Sequence, residues 1–168
     1  MRKALQNMVY GMYLLTTREG EQDFGCLVNT AIQVSSQPDR IAVCVVKSNR
    51  THEALHRAGV FNLSGIREDA PMELFRNFGM RSSRKTDKFT QFPGLSRSDN
   101  GILYPAQWGT MCLSAEVTEQ VDLGDHTLFI GRITEDAVLK DAPTCSYRHF
   151  CEHILPNSKT GGRSHERI

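Results

Sequence analysis

The sequence predicts an α+β domain whose core is an antiparallel β-barrel capped by helices. The first observation is a series of short runs rich in β-branched and aromatic residues, each bounded by Gly, Pro, Asn, Asp or Ser. The second is that the few segments with apolar residues at helical spacing are brief. Short strands in series, with only a few helices between them, favour an antiparallel barrel. The 168 residues are enough for one such domain.

The first elements alternate between strand patterns and turns. Apolar residues at helical spacing over residues 5–13 predict a short helix, which leads into a strand through Thr17. A turn follows at Gly20, and residues 24–34 and 40–46 are predicted strands. The Ser-Ser-Gln-Pro-Asp segment between these two strands is rich in chain breakers, so we expect the chain to turn there.

The next segment carries the start and stop signals of a helix. Residues 51–58 are predicted to be helical, with Ser48 or Asn49 as the N-cap and Gly59 as the residue that ends the helix. Residues 60–63 follow as another short strand.

The second half of the chain adds one helix and three strands. Residues 71–78 are predicted to be helical, with Pro at the first position, Glu73 early and Gly79 at the exit. The remaining predicted strands are residues 101–104, 111–120 and 127–134.

The bulk composition argues against several classes of partner. The 20 basic and 19 acidic residues give a formal net charge of +1, which is too small to attract nucleic acid. No apolar run approaches the ~20 residues that a membrane span needs. We therefore expect no nucleic-acid partner, no membrane partner and a cytoplasmic protein. We place the domain at residues 1–155 and predict that the polar segment 156–168 is a disordered tail.

The cysteines match no common metal or disulfide pattern. Their number is five and the sequence has no Cys-x-x-Cys pair, which argues against a thiolate metal site and a disulfide framework. Cys26, Cys44 and Cys112 lie in apolar strand patterns, where a free cysteine behaves as a small hydrophobic residue. Cys145 and Cys151 lie near a predicted C-terminal helix, and their spacing fits no standard site. We predict no bound metal.

Polar residues in and after the second predicted strand pattern indicate a binding site. Asn29, Thr30 and Gln33 leave neither face of that strand purely apolar, so a bulge or a ligand must resolve the conflict. The following strand ends in Lys-Ser-Asn-Arg-Thr directly before a helix, whose N-terminal N–H groups attract anions. These features predict an anion pocket. The alternative is a solvated capping turn beside an edge strand with one wet face.

The sequence resembles the flavin reductase-like, FMN-binding split-barrel family in the segments GCLVNTAIQVSSQPDRIAV, KSNRTHEAL and GVFNLSGIREDAPMELFRNFG. The segment VDLGDHTLFIGRI is similar to a late-strand motif of that family. The likeness is greatest to flavoredoxins and to the N-terminal flavin domain of high-molecular-weight rubredoxins, and it runs from about residue 5 to about residue 147. The resemblance implies an FMN-binding split β-barrel, antiparallel and of Greek-key type with capping helices. It also implies a homodimer that holds FMN at or near the subunit interface.

The resemblance implies cofactor contacts in three places along the chain. The implied phosphate-binding residues are Lys47, Ser48, Asn49, Arg50 and Thr51. The implied contacts to the polar edge of the isoalloxazine ring are Asn29, Thr30, Ala31 and Gln33. A basic loop that ends in Asp-Lys-Phe approaches the flavin in the family, and from it the implied contacts are Ser83 and Lys88. Considered without the resemblance, that loop is equally consistent with a solvated basic surface.

The resemblance also implies a catalytic residue. His126 lies in a Gly-Asp-His motif, and in flavin reductases the matching histidine is linked to nicotinamide binding or protonation. An imidazole can bind substrate or carry a proton near neutral pH. Without the resemblance, a single histidine in a turn before a strand is more often structural.

The implied function is that of an NAD(P)H-dependent flavin reductase. NADH or NADPH would be the transient donor, and FMN would pass electrons to free flavin, to a small molecule or to a redox partner protein of rubredoxin or flavodiiron type. Because the sequence has no Cys-x-x-Cys pair, we expect such a partner to be a separate protein. Two alternatives stay open, namely an FMN electron-transfer protein without a nicotinamide site and a non-enzymatic module that binds flavin or haem.

Overall fold

The strands form one curved antiparallel sheet and a small separate pair. The computed structural model describes residues 3–81, 87–90 and 92–155. Within those residues the strands are β1 (Tyr13–Glu19), β2 (Gln22–Val28), β3 (Ala31–Ser36), β4 (Asp39–Val46), β5 (Val60–Ile66), β6 (Ser96–Arg97), β7 (Leu103–Tyr104), β8 (Gly109–Asp122) and β9 (His126–Val138). The main sheet has the order β2–β1–β5–β8–β9–β4–β3, and β6 pairs with β7.

The main sheet curves until strands from its two ends share one core. In the strand order β2 lies at one end and β4 lies next to the other end. Cys26 and Val28 of β2 nevertheless pack in the same buried apolar cluster as Val43 and Val45 of β4, with Phe129 of β9. This barrel-like closure around one core confirms the predicted antiparallel fold class.

Short helices cover the outside of the barrel. They are α1 (Arg50–Ala58), α2 (Met72–Phe75) and α3 (Tyr147–His149), and a 3-10 turn spans Lys3–Asn7. Helix α2 continues as a π-helical turn over Arg76–Met80, and α3 continues as another over Phe150–Ile154. Phe75, Phe78 and Phe150 from these segments pack against Leu14 and Leu27 in a second apolar core.

Helix α1 begins and ends where the local sequence predicts. Asn49 is the N-cap, and its side-chain oxygen accepts a hydrogen bond from the Thr51 N–H at 3.0 Å. Gly59 has φ of 69°, a left-handed conformation that favours glycine, and its N–H donates to the Leu55 carbonyl. The buried face of the helix presents Thr51, Ala54 and Leu55 to the barrel.

The single strand predicted over residues 24–34 is wrong, because the structure has two strands there. β2 ends at Val28 and pairs with β1, whereas β3 begins at Ala31 and pairs with β4 at the opposite edge of the sheet. Asn29 and Thr30 lie in the crossing between the edges. Because Asn29 and Thr30 lie between the strands, they no longer have to occupy an apolar strand face. A shift of register between Gln33 and Ser35 also adds a bulge in β3.

Two helix predictions also differ from the structure, the first in type and length and the second in its end. The predicted helix over residues 5–13 is only the 3-10 turn, because the Met12 N–H donates to Cys145 and its carbonyl accepts from Ile66, which draws this segment into the sheet. The predicted helix over residues 71–78 is α2 followed by the π-helical turn, so Gly79 lies inside the turn and not beyond it.

The five cysteines are free thiols. Cys26, Cys112 and Cys145 are buried, and Cys44 and Cys151 are partly buried. Among the residues that the structure describes, no group of three or more His, Cys, Asp or Glu side chains is arranged to hold a metal ion. Likewise, none of the helices in the described ranges is long and apolar enough to cross a membrane. The predicted tail, residues 156–168, lies outside the described residues.

Candidate functional site

A cavity of about 80 Å³ lies where the C-terminal ends of β2 and β4 meet the start of β9. We call it the site cavity. Four of the residues that the sequence assigns to a binding site line it, namely Asn29, Thr30, Asn49 and His126. These residues come from the β2–β3 crossing, the loop before α1 and the first position of β9. Segments distant in sequence therefore meet at one place with amide, hydroxyl and imidazole groups.

The crossing between β2 and β3 supplies one edge of the cavity. Asn29 and Thr30 lie there, and the Thr30 hydroxyl donates to Asn29 Oδ1 at 3.0 Å. The Thr30 carbonyl accepts from the Cys44 N–H at 3.0 Å, which anchors the crossing to β4. Gln33 points elsewhere, because its amide donates to Asp39 Oδ1 at 3.1 Å in the β3–β4 turn. Ala31 packs against the barrel core and is not among the residues lining the cavity.

The N-terminus of α1 supplies a second edge. Asn49 lines the cavity while it caps the helix, so the first turn of α1 begins at the cavity wall. Thr51 in that first turn is fully buried, and among the described residues its hydroxyl has no nitrogen or oxygen partner, only the weakly hydrogen-bonding thiol of Cys26 beside it. Buried polar groups are nearly always hydrogen-bonded, so a hydroxyl without a nitrogen or oxygen partner beside a helix N-terminus is consistent with a ligand there.

Thr51 itself does not line the site cavity, and its hydroxyl faces the thiol of Cys26, which does. Burial raises the pKa of the Cys26 thiol to about 11, while the charge of Lys88 and the Thr51 hydroxyl act in the opposite direction. The thiol is therefore neutral near pH 7 and acts as a packing group rather than a nucleophile.

The basic residues of the loop before α1 are already paired. Lys47 Nζ lies 2.6 Å from Asp122 Oδ1, and Arg50 Nη1 lies 2.8 Å from Glu53 Oε2. The Arg50 guanidinium also lies over the ring of Phe24. Ser48 is exposed between them. The sequence predicts all three as phosphate contacts, but in this structure they do not line the cavity. Both ion pairs are partly exposed, so Lys47 and Arg50 would lose little free energy by leaving their carboxylate partners for a phosphate.

His126 lies at the opening of β9, opposite the end of β4. Its backbone pairs with Val46, and its ring Nδ1 lies 2.9 Å from Asp125 Oδ1. The side chain is 37% exposed and lines the site cavity. With Nδ1 held by Asp125, Nε2 is the ring nitrogen left for a ligand.

Lys88 lies behind the cavity wall and not in it. It is buried, and its ammonium donates to the Gly25 carbonyl at 3.0 Å and to the Phe78 carbonyl at 3.5 Å. Lys88 lines a different cavity of about 400 Å³, and Asn77 and Trp108 are among the other residues that line it. Ser83 lies outside the described residues.

Sequence reasoning missed part of the cavity wall. Cys44 of β4 and Phe78 and Gly79 of the π-helical turn also line it. Gly79 was predicted only as the end of a helix. π-helical turns are frequent at functional sites. No local sequence rule identifies such a turn, so no sequence signal marks these residues.

Comparisons with known proteins give a consistent result. A model of the flavin reductase like domain matches residues 5–152. The ferric-chelate reductase (NAD(P)H) of Archaeoglobus fulgidus is 33% identical over 160 residues, which cover 94% of this chain and 92% of that protein. The high molecular weight rubredoxin of Moorella thermoacetica is 34% identical over 148 residues, 88% of this chain. This chain spans only 64% of that rubredoxin.

A solved structure supports the same architecture. The FMN-binding protein from Thermus thermophilus superposes with a TM-score of 0.75 at 20% sequence identity. The superposition covers 84% of this chain and 78% of the Thermus chain. Likeness at that identity supports the split-barrel fold alone.

Proposed function

Because the chain belongs to the flavin reductase-like family, we propose that it is an oxidoreductase that takes electrons from NAD(P)H through bound FMN to a second acceptor. The observation that carries this proposal is the meeting of Asn29, Thr30, Asn49 and His126 at one cavity. The same activity class is named for the Archaeoglobus relative, which this chain matches over nearly its whole length.

We assign the FMN phosphate to the N-terminus of α1. Asn49 and the buried Thr51 hydroxyl are positioned at that terminus, where the helix dipole favours negative charge. Lys47 and Arg50 join the phosphate if they leave Asp122 and Glu53, and exposed Ser48 adds a hydroxyl between them. The Thr51 O–H can donate a hydrogen bond to a phosphate oxygen.

We assign the polar edge of the isoalloxazine ring to the β2–β3 crossing. Asn29 and Thr30 offer an amide and a hydroxyl at the cavity, and Ala31 and Gln33 follow them in β3. FMN bound there would supply hydride acceptance from a nicotinamide and the release of single electrons. His126 then binds the nicotinamide or holds a proton through Nε2 while Asp125 fixes the ring.

We also propose that the active form is a homodimer. The site cavity of about 80 Å³ is much smaller than the ~300–1,000 Å³ that usually encloses a ligand of this size. A second copy of the chain would supply the missing walls. Because NADH and NADPH are intracellular reductants, we place the protein in the cytoplasm.

The acceptor is free flavin, a small oxidant such as a ferric chelate, or a rubredoxin-type or flavodiiron-type protein. The two curated relatives support the second and third possibilities, since one is named a ferric-chelate reductase and the other a rubredoxin.

The proposed function is tested by an anaerobic visible spectrum of the protein with FMN, before and after NADH and then NADPH. Bleaching of the flavin band near ~450 nm, faster than that of free FMN, would establish the reductase and identify its donor. Bound flavin that is bleached by dithionite but by neither nucleotide would instead establish an electron carrier. A haem absorption band, or no flavin binding, would contradict the proposal.

A further inference from the structure

We propose that Lys88 is a positioning residue that holds two walls of the site cavity together from behind. The inference rests on the proposed function, because the site cavity is the one assigned to FMN. Lys88 is 5% exposed, and its ammonium donates to the Gly25 carbonyl at 3.0 Å and to the Phe78 carbonyl at 3.5 Å.

The two carbonyl groups belong to the two walls. Gly25 directly precedes Cys26 in β2, and Phe78 directly precedes Gly79 in the π-helical turn. Cys26, Phe78 and Gly79 all line the site cavity. One ammonium group therefore links the backbone of β2 to the backbone of the turn, immediately behind the surfaces that a ligand would touch.

The segment that carries Lys88 is itself fixed. The Asn77 side chain donates to the Lys88 carbonyl at 2.5 Å, and the Asp87 carboxylate accepts from the Phe89 N–H at 2.9 Å. The rings of Phe89 and Phe78 pack edge to face with centroids 5.2 Å apart. The ammonium is thus held in place by its own backbone as well as by the two carbonyls that it contacts.

Packing at Gly25 shows how closely the three segments approach. A Cβ added at Gly25 would lie 2.9 Å from Phe89 Cζ and 3.3 Å from Phe78 Cδ1. A side chain at this position would therefore require one or both rings to shift. A small displacement of the turn would therefore be transmitted to the wall formed by β2.

The charge of Lys88 is costly to bury, which indicates that its contacts matter. Burial lowers its pKa, and in the described part of the chain its hydrogen-bond partners are carbonyl groups and not carboxylates. A buried cation without a counter-charge is expensive unless carbonyls satisfy it. Because Lys88 does not line the site cavity, it acts through Gly25 and Phe78 and not by touching the ligand.

The test compares Lys88→Met with Lys88→Gln, which keeps a donor for one carbonyl. Arg76→Met is the matched control, because Arg76 lies in the same π-helical turn but its guanidinium is exposed and paired with Glu73. Dissociation constants for FMN and for riboflavin, which lacks the phosphate, are measured by fluorescence quenching. Hydrogen exchange of the flavin-free proteins is measured in parallel.

We expect Lys88→Met to weaken the binding of FMN and riboflavin by the same factor, about 10- to 100-fold, as for loss of hydrogen bonds to a charged group. Backbone amides of residues 26–30 and 78–80 should exchange faster, while those of β8 and β9 keep their wild-type rates. The visible absorption band of bound FMN should broaden. Lys88→Gln should recover part of each change, and Arg76→Met should match the wild type.

Three results would overturn the inference. They are unchanged affinity for both ligands, unchanged exchange at residues 26–30 and 78–80, and loss of affinity for FMN alone, which would mean a direct phosphate contact. If Lys88→Met does not fold, Lys88→Gln decides by the same measurements. If the wild type binds no flavin, the proposed function fails, and the exchange data alone still show whether Lys88 joins the two walls.

Discussion

At the scale of single residues, the phosphate end of the candidate site is indicated better by one buried hydroxyl than by the basic residues of the loop before α1. Lys47 and Arg50 were the most obvious phosphate contacts in the sequence, yet both form ion pairs with carboxylates. Thr51 was one residue among five, yet it is the one with a buried hydroxyl that has no nitrogen or oxygen partner. A long cationic side chain reaches partners that only the fold brings near, such as Asp122, 75 positions away from Lys47. No local sequence pattern gives that information.

The Thr51 hydroxyl leads to a prediction with a matched control. Thr51→Val keeps the shape of a fully buried side chain and removes a hydroxyl without a nitrogen or oxygen partner. We expect the free energy of unfolding of the flavin-free protein to stay within ~1 kcal/mol of wild type or to rise, since only the weak contact with the Cys26 thiol is lost. FMN affinity should fall by about 10- to 100-fold if the hydroxyl binds the phosphate. Urea denaturation and flavin titration measure the two quantities.

Thr17→Val is the control for this comparison. Thr17 is also fully buried, but its hydroxyl donates to the Val60 carbonyl at 2.6 Å. The same substitution should therefore lower the free energy of unfolding by ~1–3 kcal/mol and leave FMN affinity unchanged. If Thr51→Val instead destabilises the protein as much as Thr17→Val does, the Thr51 hydroxyl has a structural partner and the phosphate assignment is wrong.

At the scale of elements, local signals predict helix α1 well but miss the division of residues 24–34 into the two strands β2 and β3. An N-cap at Asn49 and a left-handed glycine at Gly59 are determined within a few residues, so the sequence alone locates the helix. The break between β2 and β3 is determined by pairing with β1 on one side and β4 on the other. Pairing with these partners depends on the arrangement of the whole sheet. The local sequence over residues 24–34 is a continuous strand pattern and does not show where the chain leaves one edge for the other.

The contact between α1 and β9 makes stability depend on pH. His52 of α1 has its Nε2 2.8 Å from Thr127 Oγ1, and its ring packs edge to face on Phe129. Burial, helped by the positive charges of His56 and Lys47, lowers the pKa of His52 below its usual 6.5, with Glu53 opposing. The unfolded chain therefore binds this proton more readily than the folded one. His52 stabilises the fold above about pH 6.5 and loses that contribution as pH falls toward its folded pKa.

His52→Gln tests this dependence. Glutamine can still hydrogen-bond to Thr127 but does not titrate. We expect the loss of Tm between about pH 7.5 and about pH 5.5 to be smaller in the variant than in the wild type. Thermal unfolding followed by circular dichroism at several pH values measures this difference. Parallel pH curves for the two proteins would mean that His52 titrates alike in the folded and unfolded states.

At the scale of the whole molecule, the class of fold was predictable because the barrel depends on a pattern repeated in many strands. Errors at the ends of one or two elements leave that pattern intact. The site was less predictable, because it forms where β2, α1, β9 and the π-helical turn converge, and convergence is a property of the closed barrel. The polar strand pattern indicated Asn29, the loop before α1 indicated Asn49 and the family resemblance implied His126, but only the fold brings the three to one cavity.

The small volume of the site cavity leads to the prediction about assembly. The edge strand β3 follows the crossing that carries Asn29 and Thr30, and it exposes Ile32 (66%) and Val34 (46%). Edge strands with exposed apolar side chains readily pair with another chain. If β3 lies in the proposed dimer interface, Ile32→Glu should produce a monomer and should also lose FMN, because the second chain completes the cofactor site.

Val138→Glu is the matched control, because Val138 is 80% exposed at the far end of β9 and does not line the cavity. Sedimentation velocity should give the mass of two 18.9 kDa chains for the wild type and Val138→Glu, and of one chain for Ile32→Glu. Flavin titration of the same samples then separates the possibilities. A monomeric Ile32→Glu that keeps full FMN affinity would show that one chain holds the cofactor alone. A dimeric Ile32→Glu would exclude β3 from the interface, and the missing walls of the cavity would have to come from another face.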